Sequence, residues 1–246
     1  MIVTSELADV GGVRCFVARP KEPGPRPAVV AYPDIFQLTP PHQRLVRRLA
    51  SRGFVVVAPE LYGRLDPRAG ALDFDADRAR ALDLSSRVRV EDLDADRRAV
   101  FDAVRARSDV GDVGALGFCF GGHLAFRAAL EPGVRAAACC YATGVHDGKL
   151  GDHDGESARV DTLARCASIE GELLLVWGRD DPHIPPAGRA AIHRALDDAA
   201  VRWEARLFDA EHAFLRDEGP RHDAAAADRA FDAIAGLFTR TLRALT

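Results

Sequence analysis

Short apolar runs alternate with longer amphipathic stretches along this chain, and the two periods separate strands from helices. Residues 13–18, 28–32, 54–58, 113–118, 134–141 and 172–177 are largely apolar runs of strand length, and 201–208 supplies a further strand. The first follows a Gly-Gly turn and is expected at the edge of a sheet. Residues 42–52 place Leu45, Val46 and Leu49 at helical spacing, with Gly53 positioned as a C-cap. Residues 71–107 are charged and helical in pattern, rich in Asp-Arg pairs at helical offsets. Further helices are expected over 123–130 and 187–196. A long amphipathic helix over 223–245 turns Phe231, Ile234 and Phe238 toward the core. Buried strands separated by helices imply an α/β fold, a mostly parallel sheet covered on both faces, built as one domain over 1–246. Such sheets carry their reactive groups in loops beyond the C-terminal strand ends. The long polar loop 143–160 reads equally well as a lid or as a surface excursion.

One junction carries chemistry. Gly117-Phe118-Cys119-Phe120-Gly121-Gly122 has the form of a nucleophile elbow, with cysteine where serine usually stands. Cys119 is expected on a strained turn between strand and helix, its sulfur pushed outward and backbone N–H groups aimed at a developing oxyanion. Read alone, the motif also fits a buried, inert cysteine beside a glycine turn.

Composition narrows the function. The 246 residues hold 33 basic and 37 acidic side chains, net −4, with no basic stripe of the kind that binds nucleic acid. The N-terminal residues lack a signal-like pattern and no apolar run is long enough for a bilayer, so a soluble, cytoplasmic protein is expected. Five cysteines without framework spacing argue for reduced thiols. Cys139 and Cys140 are adjacent in a strand and face opposite sides. His146, Asp147, Asp152, His153 and Asp154 cluster in the polar loop without the pairing of a zinc site, so no metal is expected. Neither a phosphate-cradling loop nor a dinucleotide fingerprint occurs, and no cofactor is implied. His42, His123, His193 and His222 read as surface or helix positions, and Trp177 as sheet core. Nothing in the sequence specifies an oligomeric state.

A thiol needs a base, and the base an orienting acid. In elbow hydrolases the chain order is nucleophile, acid, histidine. After the strand 172–177 comes Gly178-Arg179-Asp180-Asp181-Pro182-His183, and after 201–208 comes Asp209-Ala210-Glu211-His212. Cys119, an aspartate of the 180–181 pair and His212 thus fall on one edge of the sheet, with His183 near the mouth. A free thiol ionises near about 8.5, so His212 would have to accept its proton.

These segments resemble the dienelactone hydrolases (carboxymethylenebutenolidases) of the α/β-hydrolase fold. The likeness rests on Pro33-Asp34-Ile35-Phe36, on Val56 and Ala58-Pro59-Glu60-Leu61-Tyr62 with Arg64, and on the elbow. It continues through 178–185 and His212-Ala213-Phe214-Leu215-Arg216. The resemblance implies a triad of Cys119, Asp181 and His212, and an oxyanion hole from the Ile35 and Phe120 N–H groups. In the family a glutamate at the position of Asp34 pairs with the resting thiol; aspartate here is one methylene shorter. The resemblance also implies a substrate carboxylate held by Arg216 and by Arg78 or Arg80, with Tyr141 in the pocket. A small-molecule ester or lactone is the expected substrate, with no nucleic acid or membrane partner. Activated esters and enol-lactones fit best, because a thiolate is itself readily expelled from a tetrahedral intermediate. The alternatives are a promiscuous aryl-esterase and phosphotriesterase on the same triad, or a hydrolase-fold protein that binds ligand without turnover.

Overall fold

The computed structural model describes residues 1–68, 70–151, 160 and 162–245. In chain order the elements are β1 (Val3–Val10), β2 (Val13–Pro20), β3 (Arg26–Tyr32), α1 (Pro40–Ala50), β4 (Val55–Pro59), α2 (Arg78–Arg87) and α3 (Val90–Arg105). There follow β5 (Val110–Phe118), α4 (Phe120–Ala129), β6 (Val134–Cys140), a 3-10 turn (Leu163–Ser168), β7 (Glu172–Gly178), α5 (Pro186–Asp198), β8 (Arg202–Phe208) and α6 (Ala224–Thr241).

The strands lie in the order β1-β2-β4-β3-β5-β6-β7-β8. β1 and β2 run antiparallel to each other, and β2 antiparallel to β4; every later pairing is parallel. Strands β4 and β6 are buried almost throughout, which is why they read as continuous apolar runs rather than as alternation. Helices cover both faces. On one, α1 and α6 are tied by Arg48–Asp228 at 2.8 Å and Arg52–Asp232 at 3.1 Å. On the other, α3 and α4 meet through Asp94 and Arg127. Phe231, Ile234 and Phe238 of α6 face the core as expected, and Phe238 meets Phe54 edge-on.

Three expectations are corrected. β2 is not an edge strand: β1 lies outside it, joined through Gly11 and Gly12 at φ 66° and 82°, the paired left-handed geometry of a two-residue hairpin turn. β1 is largely exposed and carries no apolar run, so hydrophobicity does not mark it. The segment 71–107 is two helices, broken where Val88 and Arg89 are extended and Val88 and Val90 plug into the core. The last helix ends at Thr241, beyond which Arg243 and Asp112 exchange hydrogen bonds of 2.8 and 2.9 Å at the start of β5.

Candidate active site

β5 ends at Phe118 and α4 begins at Phe120, so Cys119 alone turns the chain. Its φ of 56° and ψ of −119° lie where side-chain-bearing residues are strained. The turn closes only because its flanks are glycines. A Cβ on Gly117 would stand 1.9 Å from the Gly121 carbonyl oxygen, and one on Gly121 would stand 2.2 Å from that of Pro33. Among the five cysteines, which are all free, Cys119 is the one that is not buried. The Ile35 N–H meets no acceptor in the loops of the described residues, and Phe120 opens α4, a position whose N–H has no acceptor within the helix. Gln37, Tyr141 and Ala213 also adopt positive φ in loops leaving the C-terminal strand ends, so backbone strain gathers on this edge of the sheet.

The loops after β7 and β8 bring Asp181 and His212 together. His212 Nδ1–H donates to Asp181 Oδ2 at 2.7 Å, and the other carboxylate oxygen accepts the His183 N–H at 2.8 Å. Both residues are buried. The His212 ring is packed edge-on by Tyr141 and His183, with centroids 5.0 and 4.6 Å away. Burial pulls the His212 imidazole down, but the charge and hydrogen bond of Cys119 and the partnership of Asp181 outweigh it. The balance pushes His212 up to about 10.

Asp34 does not hydrogen-bond Cys119. Its Oδ1 accepts the Phe36 N–H at 2.9 Å, capping its own turn, and its Oδ2 lies 3.8 Å from Arg216 Nη1. Burial raises the Asp34 carboxyl above the usual range, with the Phe36 N–H and the charges of Arg216 and His212 pulling back. Arg216 stands over Phe74 at 3.9 Å and Phe36 at 5.7 Å from the ring centroids, while its Nε–H donates to the Glu218 carbonyl at 3.3 Å. Phe36 belongs to a segment the sequence singles out, but Phe74 does not; only the fold brings Phe74 beside Arg216. The two alternative arginines part company. Arg80 turns to Asp66 and Asp77, whereas the charge of Arg78 reaches His183. His183 is pulled below its ordinary value by burial, then by the charge on His212, with Arg221 and Arg78 adding to it. Tyr141 is buried as a wall between His212, Phe118 and Phe214. A cleft of about 20 Å³, room for roughly one water, is lined by Asp34, His42, Phe118, Tyr141, Leu215 and Arg216.

Two histidines are not surface residues. His42 is buried against Phe118 and pushed down to about 4 by burial, and His123 is fully buried and pushed down to about 3. His193 stacks on Trp203 and accepts from the buried Trp177 indole at 3.3 Å, while His222 is exposed. In the polar loop, Asp152, His153 and Asp154 lie outside the described residues, as does most of the segment read as a lid. Of that cluster, Asp147 pairs with Lys149 at 3.1 Å and the His146 ring lies over Gly188. No group of three or more metal-ligating side chains occurs among the described residues. No helix among them is long and apolar enough to cross a membrane.

A mostly parallel sheet covered on both faces, with a Gly-x-Cys-x-Gly elbow closing a central strand, places this fold in the α/β-hydrolase class. Comparison with known proteins narrows it. The sequence model of the dienelactone hydrolase family matches residues 13–242, and the chain belongs to that family. It is therefore a hydrolase of ester or lactone bonds. A Saccharomyces cerevisiae protein provisionally named carboxymethylenebutenolidase is 32% identical, over 99% of this chain and 94% of its own. The carboxymethylenebutenolidase of Rhodococcus opacus is 31% identical over 81% and 75%. A solved Klebsiella pneumoniae structure, provisionally named a dienelactone hydrolase, superposes with a TM-score of 0.76 at 24% identity, covering 97% and 98%.

Proposed function

We propose that the protein opens small anionic lactones and activated esters through a Cys119 thioester. The observation that carries this reading is the His212–Asp181 pair, whose charge state is tied to Cys119 on the elbow. Cys119 gives its proton to His212, and the sulfur attacks the acyl carbon. The carbonyl oxygen becomes an oxyanion held by the Ile35 and Phe120 N–H groups. Collapse breaks the acyl C–O bond, and the departing enolate or phenolate takes the proton from His212.

The electrostatics favour that last transfer. The negative charge that holds the proton on His212 is consumed when the sulfur is acylated, so the imidazolium becomes a stronger acid as the leaving group needs one. His212, then neutral and held in one tautomer by Asp181, draws a proton from water, which attacks the thioester carbon. Breaking the C–S bond returns the thiol and releases the acid. Arg216 supplies a fixed cation beside the site for a substrate carboxylate, with Arg78 and Arg221 as further positive charge near its rim.

Steady-state hydrolysis of cis- and trans-dienelactone beside p-nitrophenyl acetate, with the native protein and Cys119→Ala, tests the reading. The expected result is lactone turnover that vanishes in the variant. Turnover of the aryl ester alone would keep the thiol and move the substrate elsewhere. Equal rates for variant and native protein would overturn the mechanism.

A further inference from the structure

The fully buried His123, four residues past Cys119 in α4, is unused by the chemistry above, and its hydrogen bonds run straight back to the sulfur. Its Nδ1 lies 3.2 Å from the Thr143 carbonyl oxygen, which can only accept, so Nδ1 carries the hydrogen. That leaves Nε2 as an acceptor for the Thr162 hydroxyl at 2.8 Å. Thr162 Oγ1 in turn accepts from Arg127 Nη1 at 3.1 Å, and Arg127 forks onto Asp94. Asp94 also accepts from the buried Arg97 at 3.0 Å. Every proton along this chain has one direction, and burial together with the Arg127 charge keeps His123 neutral.

The chain ends on Thr143, two residues beyond Tyr141 in the loop after β6. Thr143 is pinned twice through its backbone: its N–H donates to the Cys119 carbonyl at 3.2 Å, and its own carbonyl is held by His123. The partner its hydroxyl has among the described residues is Cys119 Sγ, at 3.9 Å. A buried ionic network, a neutral imidazole of fixed tautomer and a doubly anchored backbone thus converge on one hydroxyl beside the reacting atom.

The geometry points to Thr143 as a catalytic hydrogen-bond donor to the Cys119 sulfur, with His123 as the positioning residue that holds it there. The inference rests on Cys119 being the nucleophile. With Asp34 turned to the Phe36 N–H and Arg216, Thr143 is the side chain that meets the sulfur with a hydroxyl. Donation to a sulfur carrying negative charge keeps the nucleophile in one rotamer aimed at the acyl carbon. The same hydroxyl hydrogen-bonds the sulfur again when it leaves in deacylation.

Iodoacetamide alkylation at neutral pH reads the nucleophile without any substrate, and kcat and KM for p-nitrophenyl acetate read its use. Thr143→Val keeps the shape and removes the hydroxyl; Thr143→Ser keeps the hydroxyl and removes the methyl. Loss of the donor is expected to slow Cys119 alkylation and lower kcat by about tenfold, the low end for a hydrogen bond to a charged group, with KM within about twofold. Thr143→Ser is expected to stay near native. His123→Asn, which retains an N–H for the Thr143 carbonyl, is expected to fall between Val and Ser, whereas His123→Leu matches Val. Thermal unfolding of each variant separates a loosened fold from a lost donor. Native-like alkylation and kcat in Thr143→Val would overturn the proposal, as would a Ser variant as slow as Val. If native Cys119 is not alkylated and Cys119→Ala turns over normally, the thioester reading fails instead.

Discussion

Replacing Arg216 by alanine tests whether its charge serves substrate recognition rather than chemistry. Its guanidinium is built into place: it lies 3.9 Å over the Phe74 ring, and its Nε–H is committed to the Glu218 carbonyl. The remaining four N–H bonds, on Nη1 and Nη2, are enough for a bidentate carboxylate, with Asp34 at 3.8 Å as the resting counter-ion. A hydrogen bond to a charged group contributes about 1.5–3 kcal/mol and each 1.4 kcal/mol is about tenfold; because a substrate carboxylate must displace Asp34, the clamp is counted as one such bond. Arg216→Ala is therefore expected to raise KM for an anionic lactone by about 10- to 150-fold, with p-nitrophenyl acetate changed by less than about threefold. The assay is a pair of saturation curves on the two substrates at constant ionic strength, with the Cys119 alkylation rate as control for an intact nucleophile. Equal losses on both substrates would refute the carboxylate clamp and make Arg216 a structural partner of Asp34.

Other perturbations probe the machinery. Asp181→Asn should lower kcat by about a thousandfold with little change in melting temperature, because the amide disturbs the tautomer of His212; a loss under tenfold would remove Asp181 from its role. His212 stands at about 10 in the folded protein against an ordinary 6.5, so the native state binds the extra proton. That stabilisation is complete below about 6.5 and drains away as pH rises through about 10, which urea midpoints across pH 6 to 10.5 will follow. Cys119→Ala removes the main raising influence and should flatten the decline; an identical slope would contradict the pairing. Gly121→Ala would set a Cβ 2.2 Å from the Pro33 carbonyl oxygen, a backbone atom with no freedom to retreat. A loss of at least about 3 kcal/mol in urea unfolding is expected, and a stable variant would mean the elbow is looser than described.

Cys119, the 180–181 aspartate pair and His212 were legible as candidates because each is announced locally, by glycines around one and by a polar turn directly after a strand for the others. The choice of Asp181 came from the family resemblance, and the structure pairs it with His212. The inner parallel strands were legible because burial on both faces leaves a nearly uninterrupted apolar run, as in β4 and β6. β1 was not, because its side chains are largely exposed and its only signal is the Gly11-Gly12 turn. The break at Val88 is hidden by continuous helical charge patterning and is set by two valines that must reach the core. The choice between Arg78 and Arg80 depends on Asp66, which captures Arg80 from outside the helix. His42 and His123 carry no mark of burial in the sequence; their neutrality follows from burial among distant segments, with the Arg127 charge adding to it for His123. Thr143 is equally silent, its place beside Cys119 being a product of β5–β6 pairing.

From β5 onward the strands are laid side by side in the order they occur in the chain, and the last, β8, forms an open border of the sheet with much of its length in contact with solvent. Cys119 follows an interior strand of the sheet and His212 follows its border strand. Thermal fraying is expected to start at the two borders of the sheet, β1 and β8, the second of which leads to His212, while the turn holding Cys119 stays clamped between β3 and β6. Catalytic competence is expected to be lost at a lower temperature than global integrity. Warming should silence turnover reversibly, over a range where the bulk of the protein still resists protease.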